Sequence, residues 1–174
     1  MQGFHRVEPS VFDGIFDRID KDWMLLTACA ENEKGEIVVN TMTASWGGMG
    51  ILWGKRVAFL FVRPQRYTNQ LIEKSTHMSI SFFDEEYRAA LRLCGTVSGA
   101  RVDKFAKAGL TPCYEQGVPV VAEAGYNLIC RKLYTDVLRR EGFCLPTLLE
   151  NYKAGDYHCV YVVEIEEILQ RDLV

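Results

Sequence analysis

The sequence is most informative first through what it lacks. Its six cysteines, at positions 29, 94, 113, 130, 144 and 159, form no Cys-x-x-Cys pair, so neither a zinc knuckle nor a thioredoxin-like dithiol is indicated. Reduced core thiols are the default for such scattered cysteines. No apolar run approaches the roughly 18–20 residues that a membrane-spanning helix requires. The stretch Met1-Gln2-Gly3-Phe4-His5-Arg6 lacks the apolar centre of a secretory signal, and a cytoplasmic location is expected. A basic excess is also missing: 20 Lys and Arg stand against 23 Asp and Glu, a net charge of −3, which argues against nucleic acid as a partner. The three histidines, His5, His77 and His158, lie far apart, and no serine sits in a nucleophile elbow. Nothing therefore marks a catalytic triad or a metal-ligand set. Internal repeats, linkers, low-complexity segments and a Rossmann-type glycine fingerprint are absent as well.

What is present suits a globular chain. Hydrophobic residues make up 48% and charged residues 25% of 174 positions, enough for one domain spanning 1–174. Apolar spacing predicts a short helix over Pro9 to Asp20 capped by Ser10, then strands at Trp23 to Glu31 and Ile37 to Ala44 joined through Asn32-Glu33-Lys34-Gly35. Arg56 to Val62 is apolar on both faces, which calls for cover outside the sheet. Met78 to Phe83 alternates, with Ser79, Ser81 and Phe83 sharing one side. Helices are expected at Glu85 to Leu93, Val102 to Ala108 and Pro146 to Tyr152, and strands across Tyr126 to Leu138 and Tyr157 to Ile168. The sum is a mainly β fold with peripheral helices.

Three segments carry candidate chemistry. In Asn40-Thr41-Met42-Thr43-Ala44-Ser45-Trp46-Gly47-Gly48-Met49-Gly50, a strand gives way to hydroxyls, an indole and three glycines. Such a run suits a backbone laid against a flat ligand, and it equally describes a glycine-rich turn between strands. In Val62-Arg63-Pro64-Gln65-Arg66-Tyr67-Thr68, two arginines follow a strand that Pro64 ends, and Thr68 reads as a helix cap. A helix start beside Arg63 and Arg66 suits a phosphate, although loop arginines are commonly just solvated. The third segment runs from Ser81-Phe82-Phe83 through Cys94-Gly95-Thr96-Val97-Ser98-Gly99 to Asp103-Lys104. Lys104 falls in a first helical turn, where a lysine is ordinarily a surface charge.

In combination these segments resemble the flavin reductase-like family, from about Met24 to Pro112 with an echo in Tyr157 to Glu164. The resemblance implies an FMN-binding split β-barrel. It maps Thr43, Ala44, Ser45 and Trp46 to the flavin ring, and Arg63, Arg66, Tyr67 and Thr68 to the ribityl phosphate. Ser98, Gly99 and Lys104 complete the phosphate side, Ser81 lies on the strand face free to meet ligand, and His158 approaches the cofactor or an incoming nicotinamide. Trp46 and Tyr67 equally suit packing roles, and a strand histidine equally suits a structural one. The activity implied is flavin reduction by hydride from NAD(P)H, which places no demand on a protein acid or base. The alternative within the family is a flavoredoxin-type carrier that exchanges electrons with protein partners; a binding barrel without redox activity is the third reading. The resemblance also implies a homodimer.

Overall fold

The computed structural model describes residues 3–172. Ten strands form: β1 (Phe4–Arg6), β2 (Met24–Glu31), β3 (Ile37–Ala44), β4 (Gly47–Leu52), β5 (Lys55–Val62), β6 (His77–Phe82), β7 (Pro112–Glu115), β8 (Val118–Val121), β9 (Tyr126–Val137) and β10 (Cys159–Arg171). Four α-helices accompany them: α1 (Ile15–Asp17), α2 (Tyr67–Lys74), α3 (Arg88–Thr96) and α4 (Lys104–Ala108). The main sheet runs β3-β2-β6-β9-β10-β5-β4, with β1 added to β10, and β7 and β8 form a separate hairpin. Every pairing is antiparallel. This is the mainly β split barrel with peripheral helices that the sequence leads one to expect. Among the described residues no helix is long and apolar enough to cross a membrane.

The period-two alternation of β2 explains how one strand serves two cores. Leu26 and Ala28 join the inner cluster with Leu60, Ile80, Leu128 and Val163. Leu25 turns the other way, into a second cluster with Leu91, Cys94 and Phe105 beneath α3 and α4. Strand β10 is the spine: it pairs with β9 along most of its length, with β5 over Cys159 to Glu164, and with β1 over Leu169 to Arg171.

Two local expectations change. The helix over Pro9 to Asp20 is broken: a 3-10 turn at Pro9–Val11 is followed by Gly14 at φ 68, and only then by α1 and a π turn at Arg18–Asp22. A left-handed residue cannot continue a right-handed helix, and Ser10 caps nothing there. The glycines at 47, 48 and 50 form edge strand β4, not a turn, and none has positive φ. Their missing side chains hide the alternation by which a strand is read. At Gly47 the requirement is close approach, because a Cβ there would lie 2.7 Å from the Phe59 carbonyl oxygen.

Gly47→Ala should accordingly lower unfolding stability by about 1–3 kcal/mol, the usual penalty for overpacking. Gly48→Ala, whose Cβ would meet nothing within 4 Å, should stay within about 0.5 kcal/mol of wild type. Urea unfolding midpoints decide the matter; equal losses at both positions would remove the close-approach argument.

Candidate functional site

A cleft of about 270 Å³ opens where β3 leaves the sheet, lined by Met42, Thr43, Ala44, Ser45, Trp46, Phe61, Arg63, Arg66, Gly95 and His158. Ala44 still pairs with Met24 on β2, and Gly47 already pairs with Leu60 on β5. Ser45 and Trp46 therefore cross between two ladders, and Trp46 remains half exposed. Antiparallel register brings in the opposite wall: Cys159 faces Val62, so His158 and Arg63, the next residues along, emerge together at the same sheet end.

The cations reach the cleft in different ways. Arg66 sits at the N-cap position of α2 in extended conformation, and its guanidinium donates to the Gly95 carbonyl at 2.7 Å and the Cys94 carbonyl at 3.3 Å. Burial lowers its proton affinity, and among the described residues no carboxylate pairs with it. Arg63 is already engaged. It bonds the Asp156 carboxylate at 2.8 Å, the Asp156 and Asn151 carbonyls at 3.0 and 2.9 Å, and lies 4.7 Å over the Tyr152 ring. It thereby ties the segment around residues 151–156 to the end of β5.

His158 is buried, its Nδ1 2.8 Å from the Tyr152 hydroxyl and its ring 5.2 Å from that of Trp46. Burial, assisted by Arg63 and opposed by Asp156, lowers its pKa to about 4, so the imidazole is neutral at physiological pH. Thr43 donates its hydroxyl to the Leu91 carbonyl, which pins β3 to α3.

The remaining sequence candidates lie outside this cleft. Thr68 is not a helix cap: it is the second residue of α2, buried, and its hydroxyl accepts from Asn40 Nδ2 at 2.9 Å. Tyr67 packs against the inner core. Ser81 is fully buried and donates to Asn127 Oδ1 at 2.6 Å. Ser98 is exposed, and Gly99 and Lys104 line a neighbouring cavity of about 650 Å³ along the outer edge of β3. Lys104 is no surface charge. Its Nζ is buried and donates to the Thr41 and Cys94 carbonyls, each at 2.8 Å. Burial, and after it Arg66, lowers its pKa to about 8. Tyr152, Phe61 and Asp156 join the site through tertiary contact and leave no local pattern in the sequence.

Chemically, the arrangement has an aromatic and aliphatic wall, a stretch of backbone between ladders, a neutral imidazole, and at one end a cation that no carboxylate among the described residues pairs. Among the described residues it holds no prepared nucleophile. Cys94 is fully buried in the α3 cluster, and burial pushes its thiol pKa up.

Comparison with known proteins agrees with this architecture. The family described as the flavin reductase like domain matches residues 16–173. No curated protein matches the chain in sequence. Among solved structures, an FMN-binding domain of a flavin reductase-like enzyme from Shewanella baltica is 16% identical, with a TM-score of 0.68 over 97% of this chain and 78% of that one. A flavoredoxin from Methanosarcina acetivorans is 23% identical, with a TM-score of 0.64 over 88% and 71% of the respective chains. An NADH:FAD oxidoreductase from Streptomyces globisporus is 15% identical, with a TM-score of 0.61 over 87% and 78%. At these identities the structural likenesses speak for the shared fold.

Proposed function

The chain belongs to the flavin reductase-like family, and from that premise we propose that it binds FMN in the cleft between Trp46, His158 and Arg66 as an NAD(P)H-dependent flavin oxidoreductase. The observation that carries the reading is Arg66, a partly buried guanidinium at the cleft whose partners among the described residues are two carbonyls and no carboxylate. A partly buried cation without an anion favours an anionic ligand, and a planar guanidinium matches phosphate oxygens. The donor set fits FMN: aromatic walls for a flat ring, backbone between ladders for its carbonyl edge, and a cation for its phosphate.

Bound flavin would supply the redox chemistry by accepting a hydride at its ring system. The chain's own residues have narrower tasks. Thr43, Ala44, Ser45 and Trp46 hold the ring against the β3 exit, and Arg66 holds the phosphate. Arg63, already paired with Asp156, adds positive potential and keeps the opposite wall in place. Thr68 and Lys104 act from behind, through Asn40 and the Cys94 carbonyl. We extend the proposal to a homodimer, because Phe16, Ile51 and Trp53 present an exposed apolar rim beside β4. A monomer in sedimentation equilibrium at micromolar concentration would remove that extension. The same rim is accessible to a protein redox partner, which supports the flavoredoxin-type alternative.

Arg66→Ala should weaken FMN binding by about 1.5–3 kcal/mol, the scale of a charge-assisted hydrogen bond, and riboflavin binding much less. Calorimetric titration of both ligands tests this, and equal losses would mean that Arg66 supports the fold without reading phosphate. Anaerobic mixing of the FMN-loaded protein with NADH or NADPH should bleach the flavin, and Cys94→Ala should leave that bleaching intact. Reduction by protein carriers but by neither nucleotide would favour the carrier; an FMN-loaded Cys94→Ala protein that no donor reduces would implicate a thiol.

A further inference from the structure

We infer that Tyr152 is a positioning residue that fixes the proton of His158 on Nε2, so that an imidazole N–H donor faces the cleft and selects ligands bearing a carbonyl or ring-nitrogen acceptor. The inference rests on the proposed flavin site only for the ligand's identity; the hydrogen arrangement follows from the protein alone.

Tyr152 Oη and His158 Nδ1 are 2.8 Å apart, the two rings are perpendicular, and both residues are buried. Two arrangements satisfy that distance. Either the phenol donates to Nδ1 and the imidazole proton sits on Nε2, or Nδ1–H donates to the phenol oxygen. In the second, the phenolic proton needs another acceptor, and among the described residues Tyr152 Oη has none. Stranding a buried donor costs about 1–3 kcal/mol. The first arrangement strands nothing.

The surroundings reinforce it. Arg63 lies over the Tyr152 ring, and a cation on that face strengthens the phenol as a donor. Burial, opposed by Arg63 and assisted by Asp156, keeps the phenol protonated, and burial, assisted by Arg63 and opposed by Asp156, keeps the imidazole neutral. The ring cannot easily turn away: Tyr157 stacks on it at 5.0 Å, Phe143 packs at 5.4 Å, and Arg63 is anchored by Asp156. On the imidazole, Nε2 has no protein partner among the described residues and is not sealed from solvent, and His158 lines the cleft beside Trp46. The free N–H is therefore available to the cleft's occupant. Isoalloxazine and the nicotinamide carboxamide both carry acceptors of the required kind.

The test is long-range ¹⁵N–¹H correlation of the imidazole rings in the full, ligand-free chain at pH 7. Three histidines give a simple spectrum, and His158→Gln identifies the signal of interest. The expected result is a protonated Nε2 and an unprotonated Nδ1 at His158. Tyr152→Phe should lower the tautomer ratio by roughly fivefold or more, the equivalent of one hydrogen bond. A wild-type His158 protonated on Nδ1 overturns the inference whether or not the variant folds. So does a folded Tyr152→Phe protein with an unchanged tautomer ratio. Because no flavin is present, these outcomes are separate from success or failure of the FMN reading.

Discussion

The last turn of α3 is where the structure around the cleft is decided. Its Cys94 carbonyl receives Lys104 from one side and Arg66 from the other, and its Gly95 carbonyl receives Arg66 again. Carbonyls at a helix C-terminus carry partial negative charge, which offsets the cost of burying two cations. The convergence joins four elements at one point, since Lys104 begins α4 and also bonds the Thr41 carbonyl of β3, and Arg66 is the N-cap residue of α2. Half charges do not cancel full ones. Burial lowers the proton affinity of both groups, and Arg66 lowers that of Lys104 further.

The opposite wall follows from strand register. Because β10 pairs with β5 through Cys159 and Val62, the residues that continue past the ladder are His158 and Arg63. Leu138 N–H bonds the His158 carbonyl at 2.9 Å, extending the β9 side of the same edge. Arg63 then gathers Asn151, Tyr152 and Asp156. A shift of register by one residue would turn His158 to the other face of the sheet and empty this wall. The cleft thus lies between two supports, the α3 terminus and the β5–β10 pair.

Much of the scaffold was legible because it obeys simple periodicities. Strands β2, β3, β5, β6, β9 and β10 show the apolar patterns of half- or fully buried strands, and the end of α4 at Gly109, φ 67, is the left-handed stop that glycine permits. Strand β4 was not legible, since glycine erases alternation, and neither were three-residue β1 nor the short β7–β8 hairpin. Within the site, the segment Thr43 to Trp46 and the residues Arg63, Arg66 and His158 do meet at one cleft. Thr68 and Lys104 show the limit of local reasoning. A threonine near a helix start reads as a cap and a lysine in a first turn reads as solvated, whereas Asn40 claims the threonine hydroxyl and two backbone carbonyls claim the lysine. Tyr152 left no signal at all, because its partner lies across a turn whose geometry only the folded chain defines.

The central claim is that the indole of Trp46 and the cation at Arg66 belong to one FMN site. A crystal structure of the protein with FMN tests it most directly. The account predicts the isoalloxazine beside Ala44, Ser45, Trp46 and His158, with the phosphate on Arg66. FMN seated elsewhere, or seated in the cleft with its phosphate turned away from Arg66, would contradict it.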